Sequence, residues 1–244
     1  MKPDHSRFTL IITICLLFIV LLGFGPRFYL RAFFDQPRHL QMDRLPTSLI
    51  LHGISMTLWY IMLVIQSTLI NVNKTKVHMM VGRGLALLAL FIPVFAIPVI
   101  MGFAPRMVEL GFLDIHNAER MEFQTAMWTN DVLALIVFCG MVATGLLNRK
   151  NKVIHRSMIL YASMAFMGPA IFRMLEWMAP QYVMEGMFLL FFLFPIAVLV
   201  NDWIQQKRLP VYSFSGFVIM VLLMALTFLL PTTSFWQGLF IAHL

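Results

Sequence analysis

Residues 126–163 read AMWTNDVLALIVFCGMVATGLLNRKNKVIHRSMILYAS. Two apolar runs meet at a turn that crowds Arg149, Lys150 and Lys152 together. About 20 mostly apolar residues in an α-helix, rising about 1.5 Å each, cross the roughly 30 Å of hydrocarbon in a bilayer. The stretch therefore predicts two membrane-crossing helices joined by a basic turn at one surface.

The same pattern extends in both directions. Apolar runs occupy residues 8–24, 48–70, 79–103, 126–147, 155–178, 183–201 and 211–230. Of the 244 residues, 60% are hydrophobic and 12% charged, and the mean hydropathy is +0.84. A water-soluble domain carries roughly twice that charge fraction. The runs leave no room for a sizeable soluble domain, so the expectation is an all-α bundle of about seven transmembrane helices, with residues 1–244 forming a single domain.

The net charge of +7 raises the question of nucleic acid. The basic residues, however, lie in short clusters between apolar runs, which is the pattern of topology signals facing anionic headgroups. The partner is therefore the lipid bilayer, with no nucleic acid. Lys2 and Arg7 precede the first run, Lys74 and Lys76 follow the second, and Lys207 and Arg208 follow the sixth. Together with the turn after residue 147 they define one surface, and the positive-inside rule makes it the cytoplasmic one. A bacterial-type inner membrane is expected, with the N-terminus inside and the C-terminus in the periplasm. Arg27, Arg31, Arg38 and Arg44 lie on the other side, mixed with Asp35 and Asp43. Residues 1–24 resemble a secretory signal, but no A-x-A site follows and FGPRFYLR continues directly, so the first run reads as an uncleaved span.

Two junctions repeat one another. NVNKTKVHMMVGRGLALL (71–88) and LLNRKNKVIHRSMILYAS (146–163) share the order helix end, basic turn, histidine, next helix. Spans two and three then match spans four and five about a pseudo-twofold axis along the membrane normal. After the last run, SFWQGLFIAHL is too short to cross and reads as an interfacial helix.

Ionisable side chains in hydrocarbon are costly, so each one marks a candidate site. His52, Asp131 and Arg173 each lie about one turn inside the outer end of their spans and form a layer. Glu176 follows Arg173 at i+3, and Ser55, Met56 and Trp59 share a stripe with His52. Such a layer suits a small-molecule ligand or a proton. The structural alternative is that Asp131, Arg173 and Glu176 neutralise one another as packing glue. On the cytoplasmic side, His78 and His155 open spans three and five. They read either as ligands of haem b or another metal, or as headgroup-level residues with no ligand.

His39, His116 and His243 join His52 on the outer side, along with Met101, Met107, Met121, Met174 and Met178. The pairs Met164 with Met167 and Met184 with Met187 complete a set that suits copper, although methionine equally fills apolar cores. Cys15 and Cys139 are read as packing residues. Pro93 and Pro98, Gly168-Pro169, and Pro195 are expected to interrupt spans three, five and six. No nucleotide loop, nucleophile elbow, C-x-x-C or H-E-x-x-H motif occurs.

Taken together, FGPRFYLR, LHGISMTLW with Gln66, VHMMVGRG, NDVLAL, IHRSMILYA with PAIFR, VNDW and RLPVYSFSG resemble a large family of uncharacterised bacterial seven-helix membrane proteins. The resemblance covers nearly the whole chain and implies no established activity. It departs at Met79 and Met80, where the family has a basic residue after the histidine. His155-Arg156-Ser157-Met158 also looks like small membrane proteins that accompany haem–copper oxidase assembly. The leading functional expectation is a haem- or quinone-associated redox or accessory membrane protein. The alternatives are a transporter or small-ligand receptor using the outer layer, and a copper-handling protein.

A reporter fused after Leu244 is expected to read as periplasmic; a cytoplasmic readout would invert the orientation.

Overall fold

The computed structural model describes residues 3–35, 45–113 and 117–242, with side chains from Ser6 onward. Within them the helices are α1 (Pro3–Phe24), α2 (Thr47–Asn71), α3 (Thr75–Met101), α4 (Phe103–Glu109), α5 (Ala118–Leu147), α6 (Lys152–Ala165), α7 (Met167–Met178), α8 (Val183–Gln206), α9 (Val211–Leu229) and α10 (Ser234–Ile241). Six helical segments are long and apolar enough to cross a membrane, and the bent pair α6–α7 passes the same test when taken as one span, giving six or seven crossings. The chain is an all-α polytopic bundle.

The bundle has one central span. Around it, α1 packs on α2 and α7, α2 on α3, α3 on α5, α5 on α9, α9 on α8 and α8 on α7. In α6, Arg156, Ser157, Met158 and every residue from Leu160 to Ala165 are buried. A helix covered on all sides belongs in the interior. Its composition explains this place: Ser157, Ala162, Ser163, Ala165, Gly168 and Ala170 let neighbouring backbones come close, which is what helix packing rewards where lipid and side chains are equally apolar.

Span five is divided, and Pro169 accounts for the position of the break. A proline has no N–H and its ring collides with the carbonyl four residues back, here Ala165, the last residue of α6. The axis turns by 47° before α7 continues. Pro93, Pro98 and Pro195 instead lie inside the continuous helices α3 and α8, so of the expected interruptions only the one at Gly168-Pro169 divides a span.

The N-terminus and the three basic turns share one end of the bundle, the basic end. At the opposite end, α5 begins eight residues before the apolar run that predicted it. Asn117 caps it by accepting from the Arg120 N–H at 3.0 Å. With 30 residues the helix is about 45 Å long, so its first turns project beyond the hydrocarbon. There α10 folds back on α5: Trp236 Nε1 donates to Thr129 Oγ1 at 2.6 Å, and Phe240 enters a second core with Trp128, Ile100, Ala104 and Leu113. Phe235 faces outward and is 74% exposed. The C-terminal tail thus forms the surface helix its sequence predicted, with one face anchored in the protein.

The backbones of α1 and α7 come close together at Gly23. A Cβ on Gly23 would stand 2.2 Å from the Ala170 carbonyl oxygen, a contact that only backbone movement relieves. Gly23→Ala is therefore expected to destabilise the protein by about 1–3 kcal/mol, read as a lower melting temperature in detergent. Gly84→Ala, where a Cβ meets nothing within 4 Å, serves as the comparison and should match the wild type.

Candidate functional site

Three of the expected outer-layer residues come together at the end opposite the basic turns. His52 lies near the start of α2, Asp131 in the outer half of α5 and Arg173 near the end of α7. Arg173 interacts electrostatically with both His52 and Asp131. Asp131 also feels Arg106, on the short helix α4. Sequence reading missed Arg106 because it falls just beyond the third apolar run.

The charges of this layer do not cancel in contact. Among the described residues, Arg173 reaches no carboxylate within the 4.0 Å of an ion pair. Its guanidinium lies 4.7 Å from the centre of the Phe24 ring, a cation–π contact. Asp131 Oδ1 accepts from Asn130 Nδ2 at 3.4 Å, and Arg106 Nη2 donates to the Val99 carbonyl at 2.8 Å. His52 Nδ1 is buried with no hydrogen-bond partner among the described residues, an uncommon and costly state for a ring nitrogen.

Glu176 leaves the layer. It pairs with Arg27, which the π-helical turn Gly25–Tyr29 carries back over α7 once Gly23 has brought α1 against Ala170. Arg173 feels both Asp131 and Glu176 electrostatically without contacting either carboxylate. Trp59 also does different work. It sits about 10 Å deeper along α2 than His52, edge-on to Phe138 with ring centres 5.0 Å apart, and donates from Nε1 to Ser163 Oγ at 3.1 Å. Tyr60 donates to the Ser163 carbonyl at 2.7 Å, so both aromatics fix span five just before its break.

At the basic end, His78 and His155 meet with ring centres 6.5 Å apart. His155 Nδ1 lies 2.9 Å from the Gly145 carbonyl, and His78 Nδ1 lies 3.4 Å from the Gln66 carbonyl. Each histidine reaches back to the helix before its basic turn, so the two similar junctions adopt similar geometry and face each other.

Beside them is a cluster that the sequence reading did not single out. Asp202, completely buried on α8, accepts from Arg156 on one carboxylate oxygen. Its other oxygen accepts from Ser157 Oγ at 3.0 Å and from Ser213 Oγ. The motifs IHRSMILYA, VNDW and RLPVYSFSG thus converge on one carboxylate that ties α6, α8 and α9 together. Asp202 was legible as a carboxylate at the end of an apolar run, but its depth was not, because Asn201 beside it marked the expected boundary.

Met164 and Met167 are core residues, 1% and 2% exposed, and His39, His116 and His243 lie outside the described residues. Among the described residues no three His, Cys, Asp or Glu side chains gather as a metal set. Cys15 and Cys139 are free thiols. Comparison of the chain with protein-family models, with curated proteins and with solved structures returns no match.

Asp202→Asn and Arg156→Gln are each expected to cost on the order of 3–5 kcal/mol, because each strands a buried charge. The double variant should lose less than the sum of the two. Melting temperatures of the four proteins in detergent measure this, and additive losses would show that the pair is not coupled.

Proposed function

We propose that this chain is a ligand-binding membrane protein whose site is the layer formed by His52, Arg173 and Asp131, with Arg106 beside it. The observation that carries this reading is the buried Nδ1 of His52, which has no partner among the described residues and shares its layer with a guanidinium that has no contacting carboxylate there. An ionisable group inside a membrane bundle that no contacting partner satisfies marks a candidate binding site. A ligand with a hydrogen-bond-accepting head meets both donors: Arg173 offers N–H groups and His52 offers a ring nitrogen, while Asp131 is placed to take or hold a proton. Quinones and small carboxylates carry such heads, and a quinone also reaches the site through lipid.

The same reading puts the basic end in the cytoplasm and the ligand layer in the outer leaflet of a bacterial inner membrane, on the strength of the basic turns. It also keeps the chain in the seven-helix bacterial family that its motifs resemble. A receptor, a carrier and a quinone-linked accessory protein all share this site and differ in the step that binding triggers.

The test is thermal stability of the purified protein with decylubiquinone and, separately, with benzoate. A probe at 100 times its Kd stabilises by about 2.7 kcal/mol, so a rise of several degrees is expected with at least one of them. Arg173→Gln and His52→Ala should each abolish the rise, and Cys139→Ala, on an exposed face of α5, should keep it. If neither probe stabilises the protein, or if the rise survives both site variants, the assignment fails.

A further inference from the structure

Arg83 stands inside the third span and takes no part in the turns that mark the basic end. It lies eight residues on from Thr75, the first residue of α3, which is about 12 Å along the axis. The buried residues of α3 are Leu85, Ala89, Ile92, Ala96 and Ile100, and the helix packs on α2 and α5. Arg83 is about 150° round the axis from that buried row. Lys76, Met80, Leu87, Leu90 and Val94 share its side and are exposed with it, Met80 at 65% and Leu90 at 68%, so this side of α3 looks away from the bundle.

Ionisable residues within spans almost always face the bundle interior and pair there. Arg83 does neither. Among the described residues it makes no ion pair and no hydrogen bond. Helical Cα–Cβ bonds tilt toward the helix N-terminus, and the N-terminus of α3 is at the basic end. The long stem of Arg83 therefore leans toward that surface and carries the guanidinium to the headgroup boundary. Lys76 lies seven residues nearer the same end, about 10 Å along the axis and about 20° round it. Two cations thus stand on one lipid-facing strip with Met80 between them. Glycines flank Arg83 on both sides in the sequence, and a Cβ on Gly84 would meet nothing within 4 Å, which leaves the arginine open to approach.

The side chains of the strip select its neighbour. Helices that pack on one another in a membrane meet through small residues, whereas Met80, Leu87, Leu90 and Val94 are large. A partner helix would also have to carry a carboxylate into hydrocarbon to match Arg83, at a cost that a phosphate already at the headgroup level does not incur. A guanidinium grips a phosphate through two N–H groups at once. A zwitterionic headgroup would bring an ammonium beside Lys76, and an anionic headgroup would not.

We propose that Lys76 and Arg83 hold the headgroup of one anionic phospholipid against the lipid-facing side of α3, with its acyl chains along Leu87, Leu90 and Val94. Arg83 takes the phosphate and Lys76 the remaining negative field of the headgroup. The site is separate from the layer around His52 and does not depend on the ligand bound there.

The experiment adds phosphatidylglycerol or, separately, phosphatidylcholine to the delipidated full-length protein in detergent and counts bound lipids by native mass spectrometry. Phosphatidylglycerol is expected to fill one site ahead of all others, and phosphatidylcholine is not. Arg83→Gln and Lys76→Gln should each weaken that site about 5-fold, the effect of one basic residue at an anionic surface, and the double variant should bind the two lipids alike. Arg83→Lys keeps the charge and loses the double N–H grip, so its affinity should fall between those of the wild type and Arg83→Gln. Arg208→Gln, in the exposed turn before α9, should leave the site unchanged. Glycerol 3-phosphate at the same concentration should not displace the lipid, because it has no chains to lie along α3. The proposal is overturned if phosphatidylglycerol binds no more tightly than phosphatidylcholine, if Arg83→Gln binds it as the wild type does, or if Arg208→Gln weakens it as much as Arg83→Gln. A lipid-free dimer that Arg83→Gln dissociates would assign the strip to a second copy of the chain and overturn it equally.

Discussion

Hydrocarbon offers no hydrogen bonds, so every polar group that a membrane bundle carries inward has to be satisfied by the bundle itself. In this protein that constraint falls on span five. Arg156 and Ser157 would be untenable at the centre of the bundle without a carboxylate, and Asp202 supplies one while itself being held on both oxygens. Further along, Ser163 receives Trp59 at its hydroxyl and Tyr60 at its carbonyl. These contacts reach α8, α9 and α2, so the central span is tied to its neighbours by polar bonds while small residues let the helices close around it.

The break in span five connects this scaffold to the outer layer. Because Pro169 ends α6 at Ala165, α7 leaves at 47°, and its last turns are tilted relative to the axis that α6 sets. Gly23 then admits α1 against Ala170, which brings Phe24 under Arg173 and Arg27 over to Glu176. Arg173 is left with an aromatic face and with Asp131, Glu176 and Arg27 acting on it at a distance. Glu176, its i+3 neighbour on α7, is committed to Arg27.

This explains how far the sequence could be read. Apolar runs and basic turns depend on local composition alone, so the all-α fold, the crossings and the turn positions were legible, as was the depth shared by His52, Asp131 and Arg173. Which span lies in the centre was not, because it depends on the packing of small residues against all neighbours at once. Neither was the partner of Glu176, which depends on a π-helical turn some 149 residues away in the chain. Pro93, Pro98 and Pro195 show the same limit: proline marks where a helix can break, but in α3 and α8 the surrounding packing carries the helix through.

The buried charges at the two ends of the bundle are arranged differently. At the basic end the buried charge pair is matched, since Asp202 accepts from Arg156 on one oxygen and from Ser157 and Ser213 on the other. At the opposite end Arg27 and Glu176 pair, while His52, Arg173 and Asp131 lie near one another without contact and the buried Nδ1 of His52 has no partner among the described residues. Matched groups hold structure, because removing one strands its partner. Unmatched groups hold no structure, and a fold that tolerates them in hydrocarbon keeps them at a cost in stability. That cost falls on the layer around His52 and Arg173, which is why the binding role is assigned there and the anchoring role to Arg156 and Asp202.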